Sequence, residues 1–256
     1  MLRQFPQGTR RKIACIGASY KFIHQGVRDF LIAPKLAGAT HLENTDFYLY
    51  DIDPTPLNLE YDVISRMIRE NNSGVRVFKA KSRDEVLDGA DYVVVSVLVG
   101  GMDAAEAEDR ICQEYGIRHT VGDMIGPMCT ARCLRMVPLM LDIAGDMERL
   151  CPSAPMLSVT NPMAVLTHAV NKQTKIQCVG VCHGTESQVK QIARTYGEGR
   201  KAVCVDGVWD NHQGLNTRVE APGRGVSGDH LSEQMVVERD GKSVDQAKGV
   251  VDDSDS

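Results

Sequence analysis

The chain has 256 residues, of which 43% are hydrophobic and 25% charged, with a formal net charge of −5, the composition of an ordinary globular protein long enough to bury a sizeable core. Its longest apolar run, residues 93–102, is broken by Ser96, Gly100 and Gly101, far short of the ~20 residues a membrane helix needs. The N-terminal residues Arg3, Arg10 and Arg11 flank no apolar segment of signal-peptide type, so membrane-spanning and secreted readings fall away, and the eight cysteines read as reduced thiols of a cytoplasmic protein.

In chain order, residues 12–17 form a short apolar run ending in Gly17, which predicts a first strand. An amphipathic helix is expected over 22–36, where Ile23, Val27, Phe30 and Leu31 recur at helical spacing. Residues 46–51 read as a second buried strand closed by Asp51. Pro56 is placed to open a helix whose Leu59, Val63, Ile64, Met67 and Ile68 form one apolar face. Val75, Val77 and their neighbours alternate as a strand, and Ser82 with Glu85 has capping-box spacing ahead of a short helix. Residues 91–99 are continuous and β-branched, the pattern of a strand buried on both faces.

Residues 122–127 fall in a long loop between helices, and such loops carry function when they border a cleft. A long helix follows over 130–150, interrupted by Pro138, with Met136, Met140 and Met147 on its core face. A strand over 155–160, a helix opened by Pro162, a strand over 176–182, a helix over 187–196 and a last strand over 202–205 complete the pattern. Strands alternating with helices at this length define an α/β fold, a largely parallel sheet with helices on both faces. From about Val208 the periodicity dissolves. Residues 226–256 hold eight acids against three bases, which accounts for the whole net charge, and are expected to be a disordered acidic tail. A balanced body with an acidic end excludes a nucleic-acid binder, which needs a basic face.

Three constellations can carry chemistry. The strand, the Gly17 turn and the helix after it, with Asp51 ending the second strand, have the layout of a dinucleotide site. There, backbone N–H groups receive a pyrophosphate and an acid takes the ribose hydroxyls. Ser19 and Phe22 stand where further glycines are usual, and the 34 residues from Gly17 to Asp51 exceed the usual ~20, so an ordinary βαβ unit is the local alternative. Asn161 in Thr160-Asn161-Pro162 lies at the carboxyl end of a strand, where open α/β sheets bind ligands; its alternative is a cap on the following helix. Cys182 and His183 end another strand, and Asn211 and His212 follow about thirty residues on. A thiolate and an imidazole suit a divalent transition metal, although a buried structural cysteine has the same sequence appearance.

Together these segments resemble family 4 glycoside hydrolases, in particular the α-galactosidase and α-galacturonidase group. The resemblance rests on an ordered series: Ile16-Gly17-Ala18-Ser19, Tyr50-Asp51-Ile52-Asp53, Asp91 to Val95 with Gly100-Gly101, Thr120 to Pro127, Leu141 to Ala144, Thr160 to Ala164, and Val179 to His183. It implies a Rossmann-like domain over residues 10–207, a remnant of a substrate and metal domain over 208–225 and the tail over 226–256. It also implies NAD and a divalent metal, usually Mn²⁺, with a small carbohydrate as substrate and a homo-oligomer as assembly. In that family the sugar is oxidised at C3, loses the C2 proton, expels the glycosidic oxygen, adds water and is reduced again, an exception to the two-carboxylate scheme. The resemblance places Gly17, Ala18, Ser19, Asp51 and Asn161 at the cofactor, and Cys182 and His212 on the metal. It places His183 in proton transfer and Asn161 and Asp123 at the substrate. Family members carry a tyrosine base in their second half, whereas the last tyrosine here is Tyr196. This leaves open a relative that binds NAD and metal without turnover. A malate- or lactate-dehydrogenase-like oxidoreductase, which shares the Asn-Pro after a strand, is the other alternative.

Overall fold

Six parallel strands lie side by side in the order β3-β2-β1-β4-β5-β6. They are β1 (Arg11–Ile16), β2 (Thr45–Tyr50), β3 (Arg76–Lys79), β4 (Tyr92–Val95), β5 (Met156–Ser158) and β6 (Cys178–Gly180). The helices between them are α1 (Pro54–Glu70), α2 (Arg83–Leu87), α3 (Gly101–Glu114), α4 (Gly126–Leu150) and α5 (Met163–Gln173). This computed structural model describes residues 9–18, 44–118, 125–182 and 193–194, and the backbone of the strands between 204 and 245. The helices expected over 22–36 and 187–196 lie largely or wholly outside the described residues.

The ladder is in register across its whole width. One row runs Phe78, Tyr48, Ala14, Val93, Met156, Cys178, and its Tyr48 and Phe78 rings stack at 4.8 Å. This row faces a core built with Val86 and Leu87 of α2, Met136, Met140, Ile143 and Met147 of α4, and Leu166 and Val170 of α5. The alternate positions Cys15, Phe47 and Leu49 face the other side and pack on Leu57 and Ile64 of α1. Helices therefore cover both faces, because β-strand side chains alternate and each face of a parallel sheet needs a cover.

Local chemistry sets the element ends. Asp53 caps α1: its side chain accepts from the Thr55 N–H at 2.9 Å, and Pro54 and Pro56 both lie in the first turn. The buried stripe of α1 runs through Leu57, Glu60 and Ile64, whereas Leu59 is 68% exposed. Ile64, Met67 and Ile68 of the expected face pack against the core, while Leu59 and Val63 turn to solvent. Ser82 caps α2 as its spacing predicts, accepting from the Glu85 N–H at 3.1 Å. Strand β4 stops at Val95, well short of residue 99, and α3 is a helix that the periodicity reading leaves unassigned.

Pro138 does not interrupt α4, which runs unbroken for 25 residues. Proline removes its own N–H from the ladder and its ring crowds the carbonyl of Leu134, but it stands on the exposed side, and burial of Met136, Met140 and Met147 on the other keeps the helix formed. Asn171 clamps β6 from α5, its amide both donating to the Cys178 carbonyl and accepting from the Cys178 N–H, each at 2.9 Å.

The chain divides into two compact units, Met1–Val181 and Cys182–Ser256. In the second, β7 (Cys204–Asp210) and β8 (Gln213–Ala221) form an antiparallel hairpin with a register shift between Asp206 and Gly207. β9 (Arg224–Val226) and β10 (His230–Leu231) also pair with β8. β11 (Val236–Arg239) and β12 (Lys242–Asp245) form a separate hairpin. The stretch read as lacking regular structure thus carries short paired strands, since antiparallel hairpins need few residues and no long-range periodicity. No helix among the described residues is long and apolar enough to cross a membrane.

At the amino-terminal edge of the sheet, Asp46 lies between two arginines. Arg10 donates through Nη2 at 2.7 Å and Nε at 2.9 Å, and Arg76 forms an ion pair from β3. Burial opposes the Asp46 charge, but the hydrogen bonds and charges of Arg76 and Arg10 outweigh it and hold its pKa below the ordinary carboxylate value. A pKa lower in the folded than in the unfolded chain gives stability that is full above ~4 and is lost as pH falls through the folded value. Asp46→Asn should therefore lower the urea midpoint at pH 7 and lose that difference from wild type as the pH is taken towards 3. A difference that stays constant across the series overturns the assignment.

Candidate functional site

The strand order reverses direction at β1, between β2 and β4. In open α/β sheets the chain leaves such a point to opposite sides, opening a crevice at the carboxyl ends of the strands. The sequence-predicted residues of the first unit that the structure describes stand at that edge. Gly17 and Ala18 follow β1, Asp51 follows β2 and Asn161 lies three residues past β5.

Gly17 is a steric requirement. Its φ is +76°, and a Cβ there would lie 1.9 Å from the Ser96 carbonyl oxygen and 2.8 Å from a Val97 methyl. The backbones leaving β1 and β4 touch at this point, so only glycine fits. The Gly17 and Ala18 N–H groups both donate to the Tyr50 carbonyl, at 3.0 and 3.2 Å. This draws the β1 turn against the end of β2, where Asp51 is half-buried. One Asp51 oxygen accepts from the Asp53 N–H at 3.1 Å, which orients the carboxylate at the edge of the crevice. These two N–H groups are therefore spent on Tyr50.

Thr160, which the sequence reading quotes only as part of a motif, ties the floor together. It is almost fully buried; its hydroxyl donates to the Val95 carbonyl at 3.3 Å and accepts from the Val97 N–H at 3.0 Å. That side chain substitutes for the ladder where β4 ends, which explains why the β-branched run does not continue as strand. Its signal in the sequence is a β-branched hydroxyl beside Asn161 at the end of a strand. The N-cap of α5 is Pro162, joined to Asn161 by a cis peptide bond, so the alternative that Asn161 caps this helix does not hold.

Cys182 is half-buried and begins the second unit. The described cysteines are all outside disulfides. Burial pushes the Cys15 thiol up to about 12, Cys151 up to about 11 and Cys178 upward, so these three stay protonated and serve packing. Ser19, Asp123, His183 and His212 lie outside the described residues. Among the described residues no three His, Cys, Asp or Glu side chains converge as a metal centre. The crevice fits a dinucleotide in its switch point, its glycine turn and its oriented acid. For the metal, the described donor is the Cys182 thiol.

A family model described as family 4 glycosyl hydrolase matches residues 12–198. An alpha-galactosidase of Bacillus subtilis is 34% identical over 208 residues, covering 80% of this chain and 46% of that protein. An alpha-galacturonidase of Thermoanaerobacterium saccharolyticum is 32% identical over 174 residues, covering 66% of this chain and 37% of that protein. The chain thus spans less than half the length of these curated relatives. Among solved structures, a 6-phospho-alpha-glucosidase from gut microorganisms in complex with NAD and Mn²⁺ superposes with a TM-score of 0.73. It is 16% identical and covers 86% of this chain and 49% of that one, a likeness of fold.

Gly17→Ala tests the close approach at the switch point. The left-handed backbone alone costs an alanine about 1–2 kcal/mol, and the blocked carbonyl adds to it. A thermal melt should show a drop larger than that cost alone produces; an unchanged melting temperature overturns the packing.

Proposed function

The chain belongs to family 4 of the glycosyl hydrolases, and from that membership we propose that it acts in NAD- and divalent-metal-dependent cleavage of an α-galactoside or α-galacturonide. The observation that carries the nucleotide part is the switch point itself, where Gly17 closes against Ser96 and Asp51 stands at the neighbouring strand end. The sugar preference is supported by the names of the relatives at 32–34% identity.

In this reading Gly17, Ala18 and Ser19 form the turn against which the pyrophosphate lies, and Asp51 accepts from the ribose hydroxyls. Ala18 is a small residue there, fully buried in the cluster with Cys15, Leu49 and Leu57. Asn161 presents an amide to the cofactor and the sugar. Cys182 and His212 are the metal's protein ligands, His183 moves a proton at the sugar, and Asp123 contacts the substrate. When bound, the nicotinamide takes and returns a hydride while the divalent metal withdraws charge from vicinal sugar oxygens. The residues of the chain position and exchange protons around that chemistry. The thiols fit a reducing, cytoplasmic compartment.

The test incubates the purified chain with NAD⁺, Mn²⁺, a thiol reductant and p-nitrophenyl α-galactoside or the corresponding galacturonide. Wild type should release nitrophenol, and Cys182→Ser should release it roughly 100-fold more slowly with NAD binding retained. Turnover that survives the substitution overturns the metal assignment. NAD binding without turnover of either glycoside overturns the glycosidase reading and leaves a nucleotide-binding relative. Absence of NAD binding overturns the whole proposal.

A further inference from the structure

Beyond β4 the chain crosses the crevice edge as the segment 96–100 before entering α3. Its backbone is held at successive points. The Ser96 N–H donates to the Ile16 carbonyl at 2.9 Å and the Val97 N–H to the Thr160 hydroxyl at 3.0 Å. Both polar groups of Val99 are then taken by two consecutive side chains of α4. Its N–H donates to the Met136 Sδ at 3.3 Å, and its carbonyl accepts from the Arg135 Nε at 3.3 Å. Gly100 follows at φ +83°, and a Cβ there would meet the Ala104 Cβ at 2.6 Å and the Arg135 Nε at 3.6 Å. The turn is seated on the guanidinium.

Arg135 is itself held. Its Nη1 lies 2.5 Å from Oε1 of Glu108 on α3, and the Arg132 Nη2 lies 4.0 Å from Oε2. Glu108 and Arg132 are 8% and 7% exposed, on the two helices that share the small buried cluster of Ala105, Cys112 and Met128. Three charges in such a place are not needed for adhesion, because apolar side chains of similar volume join two helices as well or better. What the charged set does that an apolar set cannot is present a fixed donor to the Val99 carbonyl.

We propose that Arg135, oriented by Glu108, is a positioning residue for the nicotinamide half of the bound dinucleotide, acting through the Val99–Gly100 turn. This rests on the dinucleotide reading above. Asp51 on β2 marks the adenosine side of the crevice, and the strand order β2-β1-β4-β5 carries the other half of the ligand towards the segment 96–100. A turn locked before binding costs the ligand nothing to order; a turn that samples other conformations lowers apparent affinity in proportion to the competent fraction. Only the half of the ligand lying against the turn is affected.

The test uses the full chain as wild type, Arg135→Lys and Glu108→Gln. Lysine keeps a cation opposite Glu108 but cannot also reach Val99, and glutamine keeps the shape of Glu108 without its charge. Each protein is titrated calorimetrically with NAD⁺ and, separately, with ADP, which has the adenosine and pyrophosphate parts alone. Amide exchange over residues 97–101 is followed without ligand. The expected result is an NAD⁺ Kd raised about tenfold in each variant that folds, as a turn competent one tenth of the time demands. The ADP Kd should stay within about twofold, and exchange at Val99 should be faster. Arg135→Lys preserves the charge balance and keeps the test open should Glu108→Gln not fold. Equal weakening of both ligands, or of neither, overturns the role of Arg135 and leaves the cluster a purely structural one. A wild type silent to both ligands is a different result, and overturns the dinucleotide reading on which the proposal stands.

Discussion

The first unit depends on one close approach, between the backbone leaving β1 at Gly17 and the carbonyl of Ser96 leaving β4. Strand β1 is the central strand, bonded to β2 on one side and β4 on the other. Past Ile16 the ladder must part, and its two neighbours must separate without leaving a gap that water fills. Glycine with a positive φ lets the β1 turn bend towards Tyr50 while β4 stays within van der Waals contact. The crevice is the product of that parting, and Asp51 and Asn161 gain their common edge from it.

The supporting side chains come from positions with no part in the site's own chemistry. Thr160 replaces a ladder bond where β4 leaves the sheet, and α4 supplies both Arg135 and Met136 to the segment beyond. Helix α4 thus does two jobs along one length. Its carboxyl-terminal half buries Met140, Ile143 and Met147 against the sheet, and its amino-terminal half carries the ion pair with Glu108. A proline between the two jobs is tolerated because burial on the sheet side outweighs one missing hydrogen bond.

How legible each part was follows from the range of the interaction that made it. The Ser82 cap and the glycine after β1 depend on neighbours within a few residues, and both stand where local spacing puts them. Residues 91–99 all favour strand locally, yet β4 ends at Val95 because Thr160, far along the chain, captures Val97. Ile64, Met67 and Ile68 of the apolar face expected for α1 pack on the sheet side, but Leu59 faces solvent and Leu57 is buried instead, because the sheet decides how far round the helix the buried face extends. Of the candidate site residues, Gly17, Asp51, Asn161 and Cys182 could be named from turns and strand ends, and Ala18 only from the family motif. Thr160 is marked only by its place beside Asn161 at a strand end, and Glu108 and Arg135 have no local signature, since their partners are distant in sequence.

The amino-acid sequence by itself determined the class of the fold, the succession of its six parallel strands, and the family. These follow from hydrophobic period, from caps and turns read over a few residues, and from an ordered series of short motifs. Tertiary structure decided the strand order and hence the place of the switch point, the face each helix buries, and the set of side chains that hold the crevice wall. The reason is physical: a parallel sheet pairs strands that are tens of residues apart. Which carbonyl meets Gly17, or which guanidinium meets Val99, is settled only when those distant segments are packed against one another.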